Sequence, residues 1–189
     1  MRRLAVYCGS SAGRDPRFAE AAHDVGTKMA ARGIELVYGG GRLGLMGVVA
    51  DAVLGGGGIV HGVIPKALID LELAHPRATE LHVVGSLHER KAKMTELTDA
   101  FLALPGGIGT LDELFEAWTW NALGYHSKPL ALLNVAGFWD DLVRLLDGLA
   151  AQGFMSPPRR AQLLVAAEVA DSIDLLDEAV RTAEDGMVW

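Results

Sequence analysis

Short apolar runs alternate along this chain with longer stretches whose apolar positions recur at helical spacing. Leu4-Ala5-Val6-Tyr7-Cys8 is the first run, cut off by Gly9-Ser10-Ser11, and reads as a strand. Pro16 suits a first helical position, which predicts a helix from there to about Arg32, stopped by Gly33. Leu36-Val37-Tyr38 is the second strand, and a helix of small residues follows the glycine-rich turn Gly39–Gly47, ending near Leu54. Ile59–Ile64 forms a third strand before Pro65, and Lys66–Pro76 reads as a helical turn plus loop. Leu81–Val84 is the fourth strand, and Ser86 caps a helix that continues to about Leu97. Ala100–Leu104 is a fifth strand and Leu111–Leu123 the helix after it. Pro129–Val135 is a sixth strand, followed by a helix over Trp139–Gln152 and a connector, Gly153–Arg159. Gln162–Ala166 is the last strand and Asp171–Glu184 the last helix.

This alternation predicts an α/β chain, a single domain over residues 1–189. Its core is a doubly wound, Rossmann-like parallel sheet of about 6–7 strands with helices on both faces. Such sheets bind ligands outside the carboxyl ends of their strands, at a topological switch point. The glycine-rich turns at Gly9, Gly39–Gly44 and Gly106–Gly109 all fall at strand carboxyl ends and are predicted to meet on one edge.

The most informative turn is Pro105-Gly106-Gly107-Ile108-Gly109-Thr110-Leu111-Asp112-Glu113. Glycines between a strand and a helix let the backbone approach a ligand closely, and the helix start offers unpaired N–H groups and a positive dipole end. A phosphate is the expected occupant. Thr110-x-x-Glu113 is equally the pattern of a capping box, in which Glu113 only holds the helix start. A Walker-type loop requires Lys-Ser/Thr after its last glycine, whereas Gly109 is followed by Thr110-Leu111, so triphosphate chemistry is not expected. Gly39, Gly41 and Gly44 match G-x-G-x-x-G, yet the ribose-binding acid that should end the next strand is replaced by Gly62-Val63-Ile64-Pro65-Lys66, which speaks against NAD. On the helix after Ser86, Leu87, Met94 and Thr98 form one stripe with Arg90 and Lys91 on its flanks. A guanidinium at the edge of an apolar stripe needs an anion, either an acid such as Glu113 or Glu116 or a bound phosphate.

Composition narrows the partners. The net charge of −7 argues against nucleic acid. A single cysteine, Cys8, suits a reducing compartment and reads as a small buried residue rather than a nucleophile. The six histidines show no zinc-ligand spacing, so no metal site is expected. No apolar stretch reaches membrane-spanning length, and a cytoplasmic protein is expected. Phe115, Trp118, Trp120 and Tyr125 crowd the helix that starts near Thr110, which predicts a homodimer through that surface.

Together these residues resemble the LONELY GUY family, the cytokinin riboside 5′-monophosphate phosphoribohydrolases, many of which carry the label "lysine decarboxylase-like". The resemblance rests on Tyr7-Cys8-Gly9-Ser10-Ser11, on Val37-Tyr38-Gly39-Gly40-Gly41 with Gly44-Leu45-Met46-Gly47, on His88-Glu89-Arg90-Lys91 with Met94, and on Pro105-Gly106-Gly107-x-Gly109-Thr110-x-x-Glu113. It implies hydrolysis of the N-glycosidic bond of an adenosine 5′-monophosphate, especially an N6-prenylated one, without cofactor and in a homodimer. Arg90 and Glu113 are then the implied catalytic pair. Ser10, Gly41, Gly44, Lys91, Gly106, Gly107, Ile108, Gly109, Thr110, Leu111, Asp112 and Thr119 form the candidate substrate- and phosphate-binding set. A decarboxylase would need a pyridoxal cofactor on a Schiff-base lysine, for which the sequence offers only scattered lysines. The competing expectation is a nucleotide sensor or cofactor carrier of the same fold, since fold does not imply activity.

Overall fold

Seven short strands order themselves as β4-β3-β2-β1-β5-β6-β7 in a computed structural model that describes residues 1–69 and 73–184. The elements run β1 (Arg3–Tyr7), α1 (Pro16–Ala31), β2 (Glu35–Tyr38), α2 (Gly44–Gly55), β3 (Val60–Pro65), α3 (Lys66–Ile69), β4 (Glu80–Val84) and α4 (Leu87–Leu97). They continue with β5 (Ala100–Ala103), α5 (Ile108–Ala122), β6 (Leu130–Leu133), a 3₁₀ turn at Val135–Gly137, α6 (Asp140–Ala151), α7 (Pro157–Ala161), β7 (Leu163–Ala166) and α8 (Val169–Glu184). Every pairing is parallel. The chain winds outward from β1 to β4, returns, and continues from β5 on the other side of β1, which places the switch point between β1 and β5.

Alternation along the strands divides the core into two layers. Leu4 and Val6 of β1 pack with buried residues of α1, α2 and α8, including Val25, Val49 and Leu176. Ala5 and Tyr7 face the other way, toward Met94 of α4, Leu114 and Trp118 of α5, and Leu146 of α6. The small residues of α1 and α2 serve their close contact: a Cβ on Gly26 would lie 2.6 Å from the Val49 carbonyl oxygen.

Local signals account for most element starts. Asp15 caps α1 by accepting from the Arg17 N–H, with Pro16 at the first helical position. Ser86 caps α4 by accepting from the Glu89 N–H at 3.1 Å, and Glu89 Oε2 accepts in return from the Gly85 N–H at 2.7 Å. Three expectations change. The connector Gly153–Arg159 contains the start of α7, whose Ser156 cap and Pro157 form a helix-start signal in their own right. Leu87 does not belong to a buried stripe; it is exposed at the first turn of α4, and only Met94 of that helix is buried. Trp118 lies in the core, which removes it from any outward aromatic surface. Within Lys66–Pro76, the helical turn is α3, and residues 70–72 fall outside the described residues. Among the described residues no helix is long and apolar enough to cross a membrane.

Candidate active site

The three glycine-rich turns do meet at the switch point. The Gly9 N–H after β1 donates to the Pro105 carbonyl after β5 at 3.1 Å, and the Leu45 N–H at the start of α2 donates to the Gly9 carbonyl at 3.0 Å. Gly44 adopts φ +58, and a Cβ there would lie 2.3 Å from the backbone carbon of Ser10. A Cβ on Gly106 would meet Thr110 Oγ1 at 2.1 Å. These contacts stitch the ends of β1, β2 and β5 into one floor.

Helix α5 starts at Ile108, three residues earlier than the sequence pattern suggested, with Gly107 as its cap and no side chain closing the turn. The Leu111 N–H makes the first bond back, to the Gly107 carbonyl at 3.1 Å. The N–H groups of Ile108, Gly109 and Thr110 therefore have no partner within the helix. The capping-box reading of Glu113 fails here, because Thr110 already sits inside the first turn and is buried against Gly106. A Cβ at Gly107 or Gly109 would meet nothing within 4 Å, so both glycines front open space. Ile108 between them is 88% exposed.

One turn deeper, Glu113 Oε1 lies 3.2 Å from Arg90 Nη2, and each side chain is only 12% exposed. Burial pushes the Glu113 carboxyl above its ordinary value, against the opposing pull of Arg90. The guanidinium fits because of Gly39: a Cβ there would stand 1.8 Å from Arg90 Nη2. Lys91 Nζ donates to Glu116 Oε2 at 2.6 Å and to Asp112 Oδ2 at 2.9 Å. Burial pulls the Lys91 ammonium down, and these two carboxylates more than reverse it, leaving its pKa raised. Arg90 Nε and Glu116 Oε1 are buried with no hydrogen-bond partner among the described residues. Tyr7 lies beneath the pair, buried and stacked on Phe101 at 5.7 Å. Cys8 is buried too, and burial raises its thiol well out of the nucleophilic range.

On the other side of the Gly106 turn, a cavity of about 290 Å³ runs from Gly106 and Gly107 past Ser10 to Phe18 and Phe138, whose rings meet edge to face at 5.4 Å. The phenylalanines come from α1 and the turn before α6, and nothing in their spacing marks them as neighbours.

The candidate residues thus divide. Arg90, Glu113, Lys91 and Asp112 form one linked cluster, and Gly106, Gly107, Ile108, Gly109, Thr110 and Leu111 form the helix start beside it. Ser10 is exposed at the neighbouring turn, and Gly44 packs against it. Gly41 forms an isolated bridge with Ala74, and a Cβ on it would meet Met46 Cε at 3.2 Å, the side chain that also stands against Gly39. Thr119 is exposed near the far end of α5, about 13 Å along the helix from Thr110.

Comparison with known proteins gives one consistent answer. Residues 46–176 match the family described as possible lysine decarboxylase. The chain is 46% identical over 188 residues to the cytokinin riboside 5′-monophosphate phosphoribohydrolase LOG of Oryza sativa subsp. japonica, covering 100% of this chain and 78% of that protein. It is 44% identical over 179 residues to a cytokinin riboside 5′-monophosphate phosphoribohydrolase of Arabidopsis thaliana, covering 95% of this chain and 84% of the other. Among solved structures, the molybdenum cofactor (Moco) carrier protein from Chlamydomonas reinhardtii superposes with a TM-score of 0.74 at 22% identity, over 96% of this chain and 98% of that one, a likeness of fold.

Proposed function

The chain belongs to the possible lysine decarboxylase family, among its cytokinin riboside 5′-monophosphate phosphoribohydrolases, and from that premise we propose that it hydrolyses the N-glycosidic bond of an N6-modified adenosine 5′-monophosphate. The products are the free base and ribose 5-phosphate. The observation that carries this reading is the Arg90–Glu113 pair, nearly buried and set one turn below an open helix start.

Cleavage of that bond builds positive charge on the ribose, and water adds its hydroxyl to C1′ while its proton ends on the departing base. The Glu113 carboxylate stabilises the ribosyl cation or accepts the proton of the attacking water. Arg90 opposes the burial that raises the pKa of that carboxyl and so favours its ionised form. A guanidinium is a poor proton donor, so its remaining hydrogen-bonding capacity orients phosphate or base. The free N–H groups of Ile108, Gly109 and Thr110 receive the 5′-phosphate, with the positive end of the α5 dipole behind them. The unpartnered Arg90 Nε and Glu116 Oε1 are the kind of buried polar atoms a substrate group satisfies. Lysine decarboxylation, the other activity in the family's description, gains nothing from Lys91. Its ammonium is held charged between two carboxylates, the opposite of what a Schiff-base lysine requires.

The protein acts in the cytoplasm as a homodimer on this reading, with the exposed Phe115, Leu123 and Tyr125 at the end of α5 supplying the contact. The deciding assay measures free base released from N6-isopentenyladenosine 5′-monophosphate, from AMP and from the matching nucleosides. The monophosphates should be cleaved far faster than the nucleosides, because binding energy at the phosphate positions the ribose. Glu113→Gln should remove turnover while leaving a folded protein. Tight monophosphate binding by wild-type protein with no base released would instead make the chain a sensor or carrier.

A further inference from the structure

A second cluster of polar side chains lies at the opposite end of the sheet, on the α4 face. His61, the second residue of β3, pairs in register with Glu80, the first residue of β4, and His82 follows two positions along the same face of β4. Glu80 Oε2 lies 3.1 Å from His61 Nδ1 and 3.4 Å from His82 Nε2, and the three ligand atoms all fall within 4.8 Å of one another. The two imidazoles stack with centroids 6.1 Å apart.

We propose that His61, Glu80 and His82 bind a divalent transition-metal ion of the zinc class, through His61 Nδ1, Glu80 Oε2 and His82 Nε2, with a fourth position open to water. Three features carry the assignment. Two histidines and one carboxylate are a zinc ligand set, and bonds of about 2.0–2.2 Å in a tetrahedron put ligand atoms about 3.3–3.6 Å apart, close to the two short separations here. His82 Nε2 is buried and has no hydrogen-bond partner among the described residues. His61 Nε2 is held at 2.8 Å by Glu35 Oε2, the carboxylate that orients and strengthens a ligating imidazole from behind.

The site needs little rearrangement. His61 is 3% exposed and fixed by Glu35, while the Glu80 side chain is 58% exposed and free to adjust. The ion would clamp the edge strand β4 to β3, far from the glycine-rich turns, and its effect is on stability rather than on turnover. Sequence spacing did not predict the site because its ligands come from adjacent strands whose register only the folded sheet supplies.

The test uses full-length protein stripped with a chelator and titrated with zinc by calorimetry, and with cobalt to read the visible absorption of a tetrahedral ion. One ion per chain should bind, the melting temperature should rise with zinc, and release of base from a nucleoside monophosphate should not change. Removing an orienting partner alone costs about 10–100-fold in metal affinity; His82→Ala and Glu80→Gln should lose at least that much. Both alter partly exposed side chains, and melting of the chelated variants verifies their fold. Absence of saturable binding, or equal binding by both variants, would overturn the assignment.

Discussion

Replacing Gly39 by alanine should damage turnover far more than stability, because the severe collision is with the tip of Arg90, half of the proposed catalytic pair. The added Cβ would sit 1.8 Å from Arg90 Nη2 and 2.9 Å from Arg90 Cζ, with Met46 Sδ at 3.2 Å. To regain ordinary contact Nη2 must retreat by about 1.5–2 Å. A long side chain can do this by rotation, so the fold survives, but the 3.2 Å contact with Glu113 does not. A displacement of about 1 Å in a positioned group can cost about 100-fold in rate, and here the carboxylate also loses the charge that opposes its protonation. We therefore expect kcat/KM to fall about 100-fold, or about 2.7 kcal/mol of transition-state stabilisation. The folded state loses one largely buried ion pair, about 1–2 kcal/mol after partial resolvation, seen as a melting temperature lower by about 2–8 °C. The assay is base release from N6-isopentenyladenosine 5′-monophosphate by Gly39→Ala, Arg90→Ala and the double variant. If Gly39 acts through Arg90, the double variant is no slower than Arg90→Ala alone. Additive losses, or a Gly39→Ala enzyme within about threefold of wild type, would refute this reasoning.

Gly107→Ala should show the reverse separation in binding: its Cβ meets nothing within 4 Å, so melting is unchanged, yet the methyl group enters the proposed phosphate space and KM rises by at least about tenfold. The acid limb of the kcat/KM profile should lie above the ordinary carboxylate value of 4.5, because burial raises Glu113 and turnover needs its ionised form; activity falls as pH drops through that raised pKa. Lys91→Met removes a cation that holds Glu113 down and should move this limb to higher pH, which a pH–rate series on the variant will show or deny. Light scattering at micromolar concentration should give twice the chain mass for wild type and a smaller value for Tyr125→Asp with Leu123→Asp, both of which replace exposed apolar side chains.

Periodicity was enough to find all seven strands and the order in which helices separate them, because buried parallel strands are short apolar runs between glycine-rich turns. The convergence of Gly9, Gly44 and Gly106 followed from the rule for doubly wound sheets and needed no side-chain detail. The start of α5 was misplaced because a glycine cap leaves no side-chain signal, while Thr110 and Glu113 imitate one. The wheel put Arg90 near an acid, but only the fold distinguishes Glu113 from Glu116 as its partner and gives the latter to Lys91. Leu87 was read as buried because a wheel treats all turns alike, whereas Leu87 opens α4 and is 59% exposed, and burial in that helix falls on Met94. The Phe18–Phe138 contact and the His61–Glu80–His82 cluster were illegible for a common reason: each joins segments whose separation along the chain carries no periodic signal.

The turn from Gly106 to Thr110 is a partition between two helical layers. Arg90 and Glu113 belong to the α4–α5 layer, and Phe18, Ser10 and Phe138 line the cavity on the other side. A substitution in one layer reaches the other through that backbone or through Phe138, whose ring meets Trp139 of the α4–α5 side edge to face at 4.7 Å. Selection can therefore resize or repolarise the Phe18 and Ser10 side of the wall while the Arg90–Glu113 pair stays in register, and it can tune the pair without reshaping that side. A scaffold divided in this way can evolve new ligand preferences in small steps, none of which has to pass through a catalytically broken ancestor.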